Sequence, residues 1–186
     1  MFKIVEFSHI LINEFYLRNK NKELTFIDAT CGMGNDSLFM ANLLNNNGKL
    51  VCYDIQKIAI NTTKDLLDSN NFNNVIYHLS SHECFIEQDA DLIIYNLGYL
   101  PTTDKKITTH VESTIKSIKN AIEITSQKDD YLIIIVVYPG HSEGKIESET
   151  IDNFVYNLPS KDFLVSKYMN YNRPSSPYIL TLSKNK

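Results

Sequence analysis

The sequence predicts an α/β fold: a mostly parallel sheet of seven strands ending in a C-terminal antiparallel hairpin, with helices on both faces. Three observations carry this prediction. Strand-sized apolar runs alternate with segments of helical period from residue 4 to residue 158. The last two runs are joined by only a short Asn-Arg-Pro-Ser-Ser-Pro segment, too short for a crossover helix, so that pair must be antiparallel. The first run turns through Gly32 and Gly34 directly into a helical segment, the punctuation of a strand-turn-helix unit.

Each element follows in order. Ile4, Phe7, Ile10, Leu11 and Phe15 recur at helical spacing, so the chain opens on an amphipathic helix. Leu24 to Ala29 reads as a buried strand, Asn35 to Leu44 as a helix, Leu50 to Tyr53 as a strand and Ile58 to Leu67 as a helix. Then come a strand at Val75 to Leu79, a short segment near His82 to Ile86, a strand at Leu92 to Leu97, a helix around Val111 to Ser126 and a strand at Tyr131 to Tyr138. A helix near Glu147 to Leu158 precedes the hairpin strands Phe163 to Met169 and Tyr178 to Leu182. Repeated strand-helix units make a parallel sheet covered on both sides. A five-strand parallel core closed by an antiparallel hairpin is similar to the Rossmann-like fold of class I S-adenosylmethionine-dependent methyltransferases.

Composition narrows the class. The 186 residues, 43% of them apolar, fit one domain spanning 1–186. A net charge of -4 argues against a surface coated in basic charge for non-specific nucleic-acid binding, while leaving room for a local basic patch. Cys31, Cys52 and Cys84 are scattered and show no Cys-x-x-Cys spacing, so neither a disulfide framework nor a metal is expected. No apolar run approaches a membrane span and no secretory leader opens the chain, which reads as a cytoplasmic protein.

The candidate chemistry lies at strand ends. In Asp28-Ala29-Thr30-Cys31-Gly32-Met33-Gly34-Asn35-Asp36, the two glycines allow positive φ and close approach of a ligand, and the helix start offers free N-H groups. The third glycine of a dinucleotide fingerprint is replaced by Ser37, which weakens a nicotinamide reading. Asp28, four residues before Gly32, points instead to a cationic cofactor bearing an amino acid. Asp54 closes the second strand about 20 residues past Gly34, where a carboxylate can accept both ribose hydroxyls. Ile55 is an apolar wall for an adenine, and Ser81 and His82 after the third strand are placed at the adenine edge. The fourth strand ends in Asn96-Leu97-Gly98-Tyr99-Leu100-Pro101, similar to the Asn/Asp-Pro-Pro-Tyr motif of methyltransferases acting on amino nitrogens, with Leu97 and Gly98 in place of the prolines.

Together with Tyr138-Pro139-Gly140-His141 and Glu143-Gly144 after the fifth strand, these five motifs, in this order, resemble the YtqB family of rRNA-methylase-like proteins, associated with MnmM-type tRNA methylation. The resemblance runs from about Phe7 onward. It implies S-adenosyl-L-methionine as cofactor, held by Asp28, Thr30, Gly32, Gly34, Asn35, Asp36, Asp54, Ile55, Gln56, Ser81, His82 and Asn96. It implies methylation of the amino group of 5-aminomethyl-(2-thio)uridine at the wobble position, with Asn96 and Tyr99 as catalytic residues and Tyr99, Tyr138, His141 and Arg173 on the substrate. The partner is then tRNA through its anticodon stem-loop, with no membrane, and a homodimer is admitted. Asn96 ranks first for holding the amine, ahead of the backbone near Leu97 and of Asp104. Lys105, Lys106, Lys145, Lys161, Lys167 and Arg173 are the candidates for an RNA-facing patch. The alternatives are a methyltransferase for an rRNA base or a small amine, and a non-catalytic module that binds S-adenosylmethionine or RNA.

Overall fold

A computed structural model describes residues 3–98, 111–140 and 142–185. Its strands are β1 (Thr25–Asp28), β2 (Lys49–Asp54), β3 (Val75–Leu79), β4 (Leu92–Leu97), β5 (Leu132–Val137), β6 (Phe163–Tyr168) and β7 (Tyr178–Lys184). The helices are α1 (Ile4–Asn19), α2 (Asn35–Leu44), α3 (Lys57–Ser69), α4 (Val111–Thr125) and α5 (Ser142–Tyr156). All seven strands form one sheet in the order β3-β2-β1-β4-β5-β7-β6. The first five are parallel, and β7 runs antiparallel to both β5 and β6. This is the expected fold, with β7 lying between β5 and its hairpin partner.

The period-2 pattern of the central strands explains the two helical layers. Ile133 and Ile135 of β5 pack in one core with Ile118, Ala121 and Ile151 of α4 and α5. Ile134 and Val136 face the other way, into a core with Ile12, Phe15, Met40 and Leu67 of α1, α2 and α3. A strand buried on both faces must be apolar throughout, as Leu-Ile-Ile-Ile-Val-Val is.

Two elements depart from expectation. The fully buried stripe of α1 is Ile4, Ser8, Ile12, Phe15 and Asn19, with the expected Phe7 and Leu11 packed at its side. Two of its members are polar and hydrogen-bonded: Ser8 Oγ donates to Val5 O, and Asn19 Nδ2 donates to Phe15 O and to Asp130 Oδ2. Phe7 stacks on Tyr168 of β6, ring centroids 3.9 Å apart. Helix α5 begins at Ser142 rather than near Glu147, because Gly144 in its first turn lowers the helical signal.

Strand order sets where a ligand can reach. Successive strands run outward from β1 to β3 on one side and from β4 to β5 on the other, so a crevice opens between β1 and β4 beyond their C-terminal ends. Because β6 is parallel to β5, the β6–β7 turn lies on that same rim, and Gly140 is within van der Waals distance of Ser175 O there. Lys161 precedes β6 and therefore sits at the opposite rim, away from Arg173.

Candidate functional site

The loop after β1 is anchored on both sides before it turns. Ala29 N donates to Ile94 O and Cys31 N to Tyr53 O, both at 2.9 Å. Gly32 and Gly34 then adopt φ of 51° and 80°, the left-handed region that favours glycine. A Cβ on Gly34 would lie 3.0 Å from Thr63 Oγ1 and 3.1 Å from Thr63 Cα, so the close approach at Gly34 is between this turn and α3. Thr63 Oγ1 also donates to Gly32 O at 3.2 Å, tying the turn to α3 a second time.

Three carboxylates surround the turn in different environments. Asp28 is 1% exposed: its Oδ1 accepts from Thr30 N at 3.2 Å and its Oδ2 from Ser37 Oγ at 2.5 Å. Burial, and then the charge of Asp36, push its carboxyl up to about 7. Asp28 thus holds the end of β1 to α2. Asp54 is only partly buried, and its oxygens accept from Gly32 N at 3.1 Å and Gln56 N at 2.8 Å. Burial raises it, against the opposing backbone hydrogen bonds. A carboxylate has about four lone-pair sites, so both oxygens keep acceptor capacity for further donors.

Asp36, in the first turn of α2, is the hub of the third group. Its Oδ1 lies 2.7 Å from His9 Nε2 and its Oδ2 accepts from Asn96 Nδ2 at 3.1 Å. The backbone N of Asn96 donates to Thr30 Oγ1 at 2.8 Å, so Asn96 is fixed at both main chain and side chain. Tyr138 is raised by burial first and by the charge of Asp36 second, opposed by a hydrogen bond with the Asn96 side chain. The Asn96 amide nitrogen donates to Asp36, which fixes the direction of its carbonyl. The ring of Tyr138 also lies against Gly98, 3.7 Å from where a Cβ would stand.

The other expected residues are distributed around this frame. Ile55 is 53% exposed beside Asp54, Gln56 is half-buried, and Asn35 is exposed at the start of α2. Ser81 Oγ accepts from Glu83 N at 3.2 Å. His82 is 6% exposed and packs edge-on against Tyr95; burial pushes it down to about 4, and its Nδ1 is buried without a hydrogen-bond partner among the described residues. Arg173 is exposed in the β6–β7 turn, on the rim of the crevice. Lys167 is engaged elsewhere, 2.8 Å from Asp152 and over the ring of Tyr178, and Lys145 pairs with Glu149 one turn along α5. Tyr99, Asp104, Lys105, Lys106 and His141 lie outside the described residues.

The family described as "Putative rRNA methylase" matches residues 50–184, from β2 to the end of β7. The chain belongs to this rRNA methylase family. A chloroplastic tRNA (mnm5s2U34)-methyltransferase of Arabidopsis thaliana is 33% identical over 98% of this chain and 69% of its own length. Ribosomal RNA small subunit methyltransferase H of Ureaplasma parvum is also 33% identical, over 48% of this chain and 31% of its own. Among solved structures, an rRNA methylase from Clostridium thermocellum superposes with a TM-score of 0.91 at 31% identity, covering 100% of this chain and 99% of that one. A methyltransferase from Streptococcus mutans, in complex with SAH, gives 0.84 at 27% identity with the same coverage.

Within this rRNA methylase fold, the donor set suits a cationic nucleoside bearing an amino acid. The turn places Asp28, Asp36 and Asp54 around a left-handed Gly32, and Asp54 keeps lone pairs beside the apolar surface of Ile55. His82 Nδ1 is a further unspent polar atom. His9 is the residue that sequence reading missed. It is a single histidine on an amphipathic helix, and its partner Asp36 stands 27 positions away, so no local spacing marks it.

Proposed function

We propose that this chain is an S-adenosylmethionine-dependent tRNA methyltransferase that converts 5-aminomethyl-(2-thio)uridine at the wobble position to its 5-methylaminomethyl form. The observation that carries the reading is Asn96: its main chain is held by Thr30 and its amide nitrogen by Asp36, leaving a fixed carbonyl acceptor at the mouth of the crevice. The similarity to the Arabidopsis enzyme over 98% of the chain supports the choice of substrate.

The cofactor, when bound, supplies a sulfonium methyl group. The chain's part is binding and alignment. Asp54 would accept from the ribose hydroxyls, Ile55 would cover the adenine, and the loop of Ser81 and His82 would meet its edge, with the buried His82 ring holding that loop in place. Gly32 lets the main chain approach, while Asp28, Thr30, Gly34, Asn35, Asp36 and Gln56 hold the loops that frame it. Asn96 Oδ1 accepts a hydrogen bond from the substrate amine and orients the nitrogen lone pair, so catalysis rests on positioning. The resemblance gives Tyr99, Tyr138 and His141 to the base and Arg173 to the phosphates of the anticodon stem-loop. The whole chain acts as one domain, alone or as a homodimer, in a reducing, cytosol-like compartment.

The deciding experiment supplies labelled S-adenosylmethionine to tRNA carrying 5-aminomethyluridine, to ribosomal RNA and to a pool of small amines, with nucleoside mass spectrometry of the products. Label recovered in 5-methylaminomethyluridine is the expected result. Label in a ribosomal base or a small amine, with none in tRNA, would overturn the substrate assignment.

A further inference from the structure

The reaction proposed above needs a group that Asn96 cannot be. A primary alkylamine reaches the site as ammonium, with no lone pair, and an amide can orient it but cannot take its proton. The carboxylates nearby have other places in this reading: Asp28 is buried against Thr30 and Ser37, Asp54 faces the ribose, and Asp36 is paired with His9 and Asn96. His82 is buried in the loop after β3.

His9 has the geometry of an oriented base. Its ring stacks on Phe39, centroids 4.0 Å apart and planes within 5°, which fixes the imidazole plane. Its Nε2 lies 2.7 Å from Asp36 Oδ1. A carboxylate only accepts, so Nε2 carries the hydrogen and Nδ1 carries the lone pair. Nδ1 has no hydrogen-bond partner among the described residues, and the side chain is 24% exposed. The groups facing the pair from the surrounding elements are the Tyr138 hydroxyl at the end of β5, the Asn96 amide at the end of β4 and, behind Asp36, the Asp28 carboxyl of β1. On its own helix, Glu6 is turned to the main-chain N of Lys3.

We infer that His9 is the proton acceptor of the reaction and that Asp36 is the positioning residue that sets both the His9 tautomer and the direction of the Asn96 amide. This rests on the amine-methylating reading above. In the step, an N-H bond of the substrate ammonium breaks, its electron pair stays on nitrogen, and the proton passes to Nδ1 directly or through one water. The imidazolium is stabilised by the Asp36 carboxylate and returns its proton to solvent through the exposed edge of the ring. The freed lone pair is the one that Asn96 aligns.

Two measurements test this. The first follows single-turnover methylation of tRNA bearing 5-aminomethyluridine against pH for wild type, His9→Gln and Asp36→Asn, with circular dichroism and thermal unfolding to confirm that each variant is folded. His9→Gln should turn over about 100-fold more slowly at neutral pH. Its deficit should shrink as pH rises, because the amine then arrives already neutral, and tRNA affinity should stay within a few-fold. The second is nitrogen NMR of the histidine side chains in the protein alone, which should show His9 as the Nε2-H tautomer in wild type and a perturbed tautomer in Asp36→Asn. A His9→Gln rate within threefold of wild type with an unchanged pH profile, or an Nδ1-H tautomer in wild type, would overturn the proposal. A wild-type protein that leaves aminomethyluridine unmethylated would sink the substrate reading instead, and the tautomer would still decide the Asp36–His9 pairing.

Discussion

Asp54 accepts from the main-chain N-H groups of Gly32, Gln56 and Ile55 and keeps acceptor capacity at the rim, which is what a ribose hydroxyl requires. Asp54→Ala should therefore lose about 2 to 4 kcal/mol of S-adenosylmethionine affinity by calorimetry. Unchanged affinity in the folded variant would remove Asp54 from the site. Asn96 tests differently, because the reading proposed above gives its carbonyl to the substrate amine. Asn96→Ala should lower the single-turnover rate by about 100-fold or more while cofactor binding stays near wild type, since lost alignment falls on the transition state. An Ala variant within a few-fold of wild type would shift the amine contact to Tyr99 and His141. Asp54 and Asn96 were legible in the sequence because each closes a strand at the functional rim. The strand-end place of Asp28 was legible but its bonds were not, since only the fold shows both of its oxygens accepting from Thr30 and Ser37. His9 was not legible, because a helical histidine acquires meaning only from the strand order that brings α1 against α2.

At the scale of elements, α2, β3 and β4 were read with the bounds they have, each flanked by Gly, Asn or polar punctuation. The face of α1 was read in part, since Ile4, Phe7, Leu11 and Phe15 reach the core, whereas Ser8 and Asn19 are buried with them because their polar groups are hydrogen-bonded. The packing of α2 on α3 rests on Gly34. An added methyl there meets the Thr63 backbone at 3.1 Å and a φ of 80° that L-residues resist. Gly34→Ala should destabilise the protein by about 1 to 3 kcal/mol in urea unfolding; a shift below a few tenths would mean that α3 yields without cost. The β6–β7 turn carries its own prediction. Arg173→Gln should weaken tRNA binding, lower the salt slope by about one and leave cofactor affinity unchanged, as measured by filter binding across a salt series. A wild-type slope would turn this hairpin away from RNA.

For the molecule as a whole, Asp28 ties stability to pH. Its folded value of about 7 lies above the ordinary carboxylate range, so the folded state favours the protonated form. That contribution is full below about pH 4 and is lost as pH rises through about 7. Asp28→Asn, which keeps an acceptor for Thr30 and a donor for Ser37, should gain on wild type by roughly 4 kcal/mol between pH 4 and pH 8 in urea unfolding. An equal difference at both pH values would show that Asp28 titrates alike in the folded and unfolded chain. The parallel core and the antiparallel hairpin were legible from connection lengths, whereas the insertion of β7 between β5 and β6 was not, since pairing between strands some 40 residues apart leaves no local trace. That insertion has a consequence for biosynthesis. On the ribosome, β5 emerges with every side chain apolar and one edge unpaired, and the strand that covers this edge follows about 40 residues later. At roughly 5 to 20 residues per second, the edge stays bare for roughly 2 to 8 seconds of translation. The newborn chain is most exposed to misassembly in that interval, when β5 is a ready template for a strand from a neighbouring polypeptide.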